Sequence, residues 1–253
     1  MRRTRAFVLL VTLAACRDAT APTAGYTLDV RFRTTPSADV QRAFVSAAKR
    51  IAEVIVADVP DVSLVGFDAS RCGGPASVTE RADDLIVYAD LSAIDGPGGI
   101  VARAGPCLVR SDLQLTVIGT MQFDVADAQA LLGSERFGSV VLHEMLHVLG
   151  FGSLWRSHSL VTAEATADPR FVGAQGTRRC SALGFAAPCG TGSVPVENTG
   201  GNAIAGSHWR ESVFDAELMT GFAESSASMP LSVLTIGSLE DLGYTVNYAA
   251  ADA

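Results

Sequence analysis

Histidine is scarce in this chain, with four among 253 residues. Positive charge is in deficit as well: 19 Lys and Arg face 27 Asp and Glu, a formal net charge of -8. A surface that acidic repels phosphate backbones, which excludes nucleic acid as a partner. No two cysteines stand in C-x-x-C spacing, so the usual framework of a structural zinc site is missing. Internal repeats and low-complexity tracts are absent too. What remains is 48% hydrophobic and long enough to bury a core, and disorder is not expected.

The apolar stretch at residues 6–15 is too short to cross a bilayer, and it follows Arg2, Arg3 and Arg5. A charged start before a short apolar run is the physics of an export signal. Its end, Leu13-Ala14-Ala15-Cys16, resembles the bacterial lipobox, in which the cysteine is lipidated and becomes the mature N-terminus. The expected organisation is therefore a lipoprotein signal peptide at 1–15, a tether at 16–25 and one domain at 26–253. Such a protein is exported and lipid-anchored at the bacterial cell envelope, on its periplasmic or outer face. Loss of residues 1–15 removes three arginines and no acids, taking the charge from -8 to -11. With Cys16 assigned to lipid, four cysteines are left, an even number that suits an oxidising compartment. Cys180 with Cys189 closes a short loop, and Cys72 with Cys107 is the pairing expected beside it.

Tyr26, Leu28, Val30 and Phe32 alternate with polar residues, the period of a half-buried strand. Pro36 then opens a helical stripe of Val40, Phe44, Ala48, Ile51 and Ile55. Further strands are expected at 62–67, 85–89 and 113–119, so the first half reads as an α/β layer. Residues 94–99, Ile-Asp-Gly-Pro-Gly-Gly, read as a turn needing positive φ rather than a calcium loop. Residues 173–206 lack periodicity and read as a long loop, and Leu231, Leu234, Leu239 and Leu242 before Gly243 read as a last helix.

Between these lies His143-Glu144-Met145-Leu146-His147, an H-E-x-x-H within an apolar run expected to be a helix from Ser134 or shortly after to Leu149, with Ser134 as its candidate N-cap and Gly150 as its stop. Positions four apart share a helix face, so both imidazoles can hold one metal ion. Glu144 stands about 100° round the helix, within reach of a water at that metal. Two buried imidazoles and a carboxylate without a metal would be costly. A catalytic zinc needs a third protein ligand, and His158, His208 and Glu164 are the available choices; Ser153, six residues after His147, will not serve.

His208 stands in Ser207-His208-Trp209, and Met219 follows eleven residues later in Glu217-Leu218-Met219-Thr220-Gly221. With these segments the chain resembles the leishmanolysin family of zinc metallopeptidases, in which a long insertion displaces the third histidine. Here the gap from His147 to His208 is 61 residues. Asp95-Gly96-Pro97-Gly98-Gly99, Ala104-Gly105-Pro106-Cys107 and Leu239-Glu240-Asp241-Leu242-Gly243-Tyr244 also look like family signatures, and the likeness runs over residues 83–244. The resemblance implies an α+β, metzincin-like zincin: a small twisted sheet, a long N-terminal helix, a central active-site helix and a loop-rich C-terminal part. It further implies His143, His147 and His208 as ligands of one catalytic Zn2+, Glu144 as the catalytic carboxylate and Met219 as the Met-turn residue.

The expected activity is zinc-dependent endopeptidase hydrolysis of protein or peptide substrates by a monomer, with Glu144 as general base and acid. An upstream strand at residues 113–123 is the expected edge for pairing with an extended peptide. The competing expectation is an inactive surface lipoprotein that binds zinc or a protein partner.

Overall fold

The computed structural model describes residues 25–252, apart from 135, 165, 184–185, 191, 202–203 and 223–228. The signal peptide, Cys16 and all of the tether except Gly25 lie outside the described residues. The first half supplies β1 (Leu28–Phe32), α1 (Ala38–Val54), β2 (Val62–Phe67), β3 (Val78–Ala82), β4 (Leu85–Ser92), β5 (Ala102–Val109) and β6 (Thr116–Asp124). Then come α2 (Val125–Leu132) and α3 (Phe137–Leu149), followed by β7 (Val161–Thr162), β8 (Arg170–Phe171), α4 (Ala174–Ala182), α5 (Ala186–Cys189), β9 (Val194–Pro195), α6 (Glu211–Phe214) and α7 (Val233–Leu242).

The main sheet has the order β1-β4-β6-β5. Its first three strands are parallel, and β5 runs antiparallel to β6 along the outer edge. β4 begins with five consecutive buried residues, as a central strand covered on both faces should. β2 and β3 form a separate antiparallel pair, and β7, β8 and β9 form a small third sheet.

Ser37 caps α1, its hydroxyl accepting from the amide of Val40, so the helix starts at Ala38 rather than at Pro36. Phe44 on its buried face meets Phe32, Phe123 and Phe137 at ring-centroid distances of 5.0, 5.5 and 6.4 Å. This aromatic cluster fastens α1, the sheet and α3 to one another.

Three expectations from sequence are corrected. The strand expected at 113–119 begins at Thr116, because Leu113 is exposed and Gln114 takes a positive φ in the turn before it. α3 begins at Phe137 without a side-chain cap, while the Ser134 hydroxyl donates to the carbonyl of Leu131 at the end of α2. Residues 173–206 are not one long loop: they hold α4, α5 and β9. α4 forms despite its polar, aperiodic sequence because the Asp241 carboxylate accepts from the amides of Gln175 and Gly176 at 2.9 and 2.8 Å, and because it packs on α7. Disulfides join Cys72 to Cys107, on edge strand β5, and Cys180 to Cys189, between α4 and α5.

Candidate active site

α3 is almost wholly buried, with Val141, Met145, Leu146, Val148 and Leu149 in the core. Its C-terminal carbonyls, which a helix cannot satisfy internally, find three partners. Val148 O accepts from Thr116 Oγ1 at 2.7 Å, Leu149 O from the Tyr244 hydroxyl at 2.9 Å, and His147 O from Ser153 Oγ at 2.7 Å. Gly150 ends the helix at φ 118°, a conformation that costs glycine little.

The chain then turns back so that the Phe151 carbonyl sits 2.9 Å from Nδ1 of His147. Two residues after the helix stop, a Cβ on Gly152 would lie 2.1 Å from the Ser207 carbonyl oxygen. Only glycine allows that approach, and it sets His208 beside the end of α3. Trp209 anchors the same segment, fully buried against Phe151, Trp155 and Phe171 at ring-centroid distances of 4.6 to 5.3 Å among these four rings.

The Nε2 atoms of His143, His147 and His208 form a triangle with sides of 3.0, 3.0 and 3.2 Å. Each ring's other nitrogen faces a backbone carbonyl: Leu218 O for His143 at 2.7 Å, Phe151 O for His147 at 2.9 Å and Ile204 O for His208 at 3.0 Å. A carbonyl only accepts, so each Nδ1 carries the proton and each Nε2 presents a lone pair. Three lone pairs converge on one point. Nitrogens bound tetrahedrally to zinc at about 2.0–2.1 Å stand about 3.3 Å apart, close to the spacing here. The donor set therefore fits a metal ion, and burial reinforces the fit. Desolvation, followed by the neighbouring His208, lowers the His143 imidazole to about 3, and burial likewise holds His147 and His208 below the ordinary histidine range. All three stay neutral and ready to bind.

Glu144 lines the same cleft, of about 530 Å³, and makes no hydrogen bond to another described residue. Burial alone pushes its carboxyl up to about 8. Apolar side chains of Leu131, Val140, Ile204, Phe222 and Met229 line the cleft with it, and residues 99–104, leading into and along β5, form one side. Met219 is fully buried in the turn whose Leu218 carbonyl orients His143.

The other candidate ligands stand elsewhere. His158 reaches the Gln114 carbonyl at 3.3 Å, and Glu164 is paired with Arg156. At residues 94–99, Gly96 and Gly98 take positive φ, and the Asp124 carboxylate accepts from the amides of Ile94, Asp95 and Gly96 at 2.7 to 3.2 Å. Carboxylates clasp that loop, with Asp127 accepting from the amide of Gly98 at 2.8 Å. The acidic group Asp58, Asp83 and Asp84 has a structural use as well, since Asp84 accepts from the amides of Thr27 and Val59. Sequence reasoning did not find the three carbonyls that fix the imidazoles, because a backbone acceptor leaves no signature in residue type.

No curated protein matches the chain significantly. The profile of the leishmanolysin peptidase family matches residues 75–253, which include α3, the three histidines, Glu144 and Met219. The chain therefore belongs to the leishmanolysin family of peptidases.

Proposed function

We propose that this peptidase is a zinc-dependent endopeptidase of metzincin type, with His143, His147 and His208 as the ligands and Glu144 as the proton carrier. The observation that carries this reading is the convergence of three neutral imidazoles, each with its Nδ1 tied to a carbonyl, beside a buried carboxylate that has no hydrogen-bond partner among the described residues. Bound there, zinc supplies a Lewis acid that activates water and polarises a carbonyl. The protein residues supply the rest. Glu144 takes the proton of the attacking water on a carboxylate oxygen and returns it to the leaving amine. Its raised proton affinity suits both halves of that exchange.

The extended substrate pairs with β5. From sequence this role is expected of residues 113–123, but β6 lies between β4 and β5, which take both of its edges. Among the described residues no strand pairs with the outer edge of β5, and β5 borders the cleft. Apolar side chains opposite it receive an apolar substrate residue. An inactive zinc-binding lipoprotein is not favoured, since a carboxylate buried without a partner among the described residues is a cost that mere zinc storage does not require.

Export and anchoring through lipid on Cys16 complete the proposal, supported by the charge and apolar pattern of residues 1–16. No helix among the described residues is long and apolar enough to cross a membrane. The test of the activity is cleavage of quenched peptides by the purified domain, lost on chelation and restored by zinc. Glu144→Gln should retain zinc and lose about 100- to 10,000-fold in turnover. A zinc-loaded Glu144→Gln protein with unchanged kcat would refute the role of Glu144.

A further inference from the structure

One buried carboxylate has no part in the chemistry just described. Glu217 is 7% exposed, and among the described residues its carboxylate accepts four hydrogen bonds. Oε2 accepts from the amide of Met219 at 2.6 Å. Oε1 accepts from the hydroxyls of Ser232 and Thr235 at 2.7 and 2.5 Å, and from the amide of Ser232 at 3.3 Å. Ser232 is the N-cap of α7, so the carboxylate pins the turn at 217–220 to the start of that helix.

Both ends of this clasp lead to zinc ligands. Leu218, next to Glu217, provides the carbonyl that receives Nδ1–H of His143. The Met219 carbonyl accepts from the amide of Trp209 at 3.0 Å, and Trp209 follows His208. Trp209 Nε1–H donates at 2.8 Å to Thr235 Oγ1, which itself donates to Glu217. One carboxylate thus connects the acceptor that fixes His143 with the segment that carries His208, though the two histidines are 65 positions apart.

We infer that Glu217 is a positioning residue for the metal centre: it holds the turn at 217–220 and the Trp209 indole in one arrangement, and so fixes the orientation of two of the three ligand imidazoles. The inference rests on the three-histidine zinc reading. Physically, a rigid acceptor at Leu218 keeps the His143 proton on Nδ1 and its lone pair on Nε2; a turn released from Glu217 lets that carbonyl drift. Glutamine at position 217 is nearly isosteric. Its oxygen can serve Ser232 and Thr235, but its NH2 then faces the Met219 amide, donor against donor.

The experiment measures zinc affinity by chelator competition and the visible spectrum of the cobalt-substituted protein, on the whole chain. Glu217→Gln should weaken zinc about 10- to 100-fold, the usual effect of removing an outer partner of a ligand, and should alter the cobalt bands. Thr235→Val, close in shape, should weaken zinc in the same direction by a smaller factor, and it stands in if the glutamine variant does not fold. Leu64→Ala, in the separate core under β2, measures what lost stability alone does; it should lower the melting temperature of the metal-free protein and leave zinc affinity within about twofold. Wild-type affinity and cobalt spectrum in folded Glu217→Gln or Thr235→Val would overturn the inference, as would an equal loss of affinity in Leu64→Ala. A wild-type chain that binds no zinc would instead remove the reading on which it rests.

Discussion

A Cβ placed on Gly119 would lie 2.2 Å from Cγ1 of Val148. Gly119 is on the central strand β6 and Val148 is on α3 one residue after His147, so the absence of a side chain at 119 sets how closely the ligand helix approaches the sheet. Gly119→Ala forces Val148, or the helix that carries it, to shift. We expect a loss of about 1 to 3 kcal/mol in urea unfolding, the range for overpacking a core, and recovery of part of it in the double variant with Val148→Ala. Unchanged stability in the single variant would show that the helix can move freely.

The three candidate third ligands separate in a metal assay. His208→Ala should lose most bound zinc, since two histidines and solvent hold it far less tightly than three preorganised histidines. His158→Ala and Glu164→Ala should keep it, because these residues are engaged with Gln114 and Arg156. Full zinc in a folded His208→Ala protein would exclude the proposed centre.

Acid should unfold the metal-free protein partly through its buried histidines. His143 is lowered from 6.5 to about 3, so below pH 6.5 the unfolded chain takes up a proton that the folded chain refuses. Stability from this group is present above pH 6.5 and lost as pH falls toward 3, by up to about 1.4 kcal/mol per pH unit. Glu144, raised from 4.5 to about 8, has the opposite sign: its contribution is present below pH 4.5 and is lost as pH rises through 8. Urea melts of chelated protein across pH 4 to 8.5 should therefore show a shallower acid slope in His143→Gln and a shallower alkaline slope in Glu144→Gln. Curves parallel to wild type would contradict both shifts.

The two disulfides should differ in worth. Cys72–Cys107 closes a separation of 35 residues and Cys180–Cys189 one of 9. Loop-closure entropy gives about 4 kcal/mol for the longer and about 2.5 kcal/mol for the shorter. Replacing each pair by alanines and comparing unfolding free energies checks the order, and a larger loss from the 180–189 pair would reverse it.

Cys16→Ser should free the protein from the membrane fraction. Mass spectrometry of the mature N-terminus should find lipid on Cys16 in the wild type, and an unmodified start elsewhere would refute anchoring.

The sequence alone determined what is local. H-E-x-x-H was legible because a helix of 3.6 residues per turn puts positions 143 and 147 on one face whatever surrounds them. The stripe on α1 and the apolar run of β4 were legible for the same reason, since a periodicity or a continuous buried run shows in single-residue hydrophobicity. Family segments pointed to His208 and Met219, yet spacing by itself left His158 and Glu164 open. What brought His208 within 3.2 Å of both other histidines was tertiary: the bare backbone at Gly152 against Ser207, the Trp209 indole in its aromatic nest and the Glu217 clasp on the following turn. The edge position of β5, hidden in a stretch with Gly105 and Pro106, was likewise settled only by which strand β6 paired with. Such contacts join residues far apart in the chain, 61 positions for His147 and His208, and their energies depend on distances between side chains that no local pattern encodes.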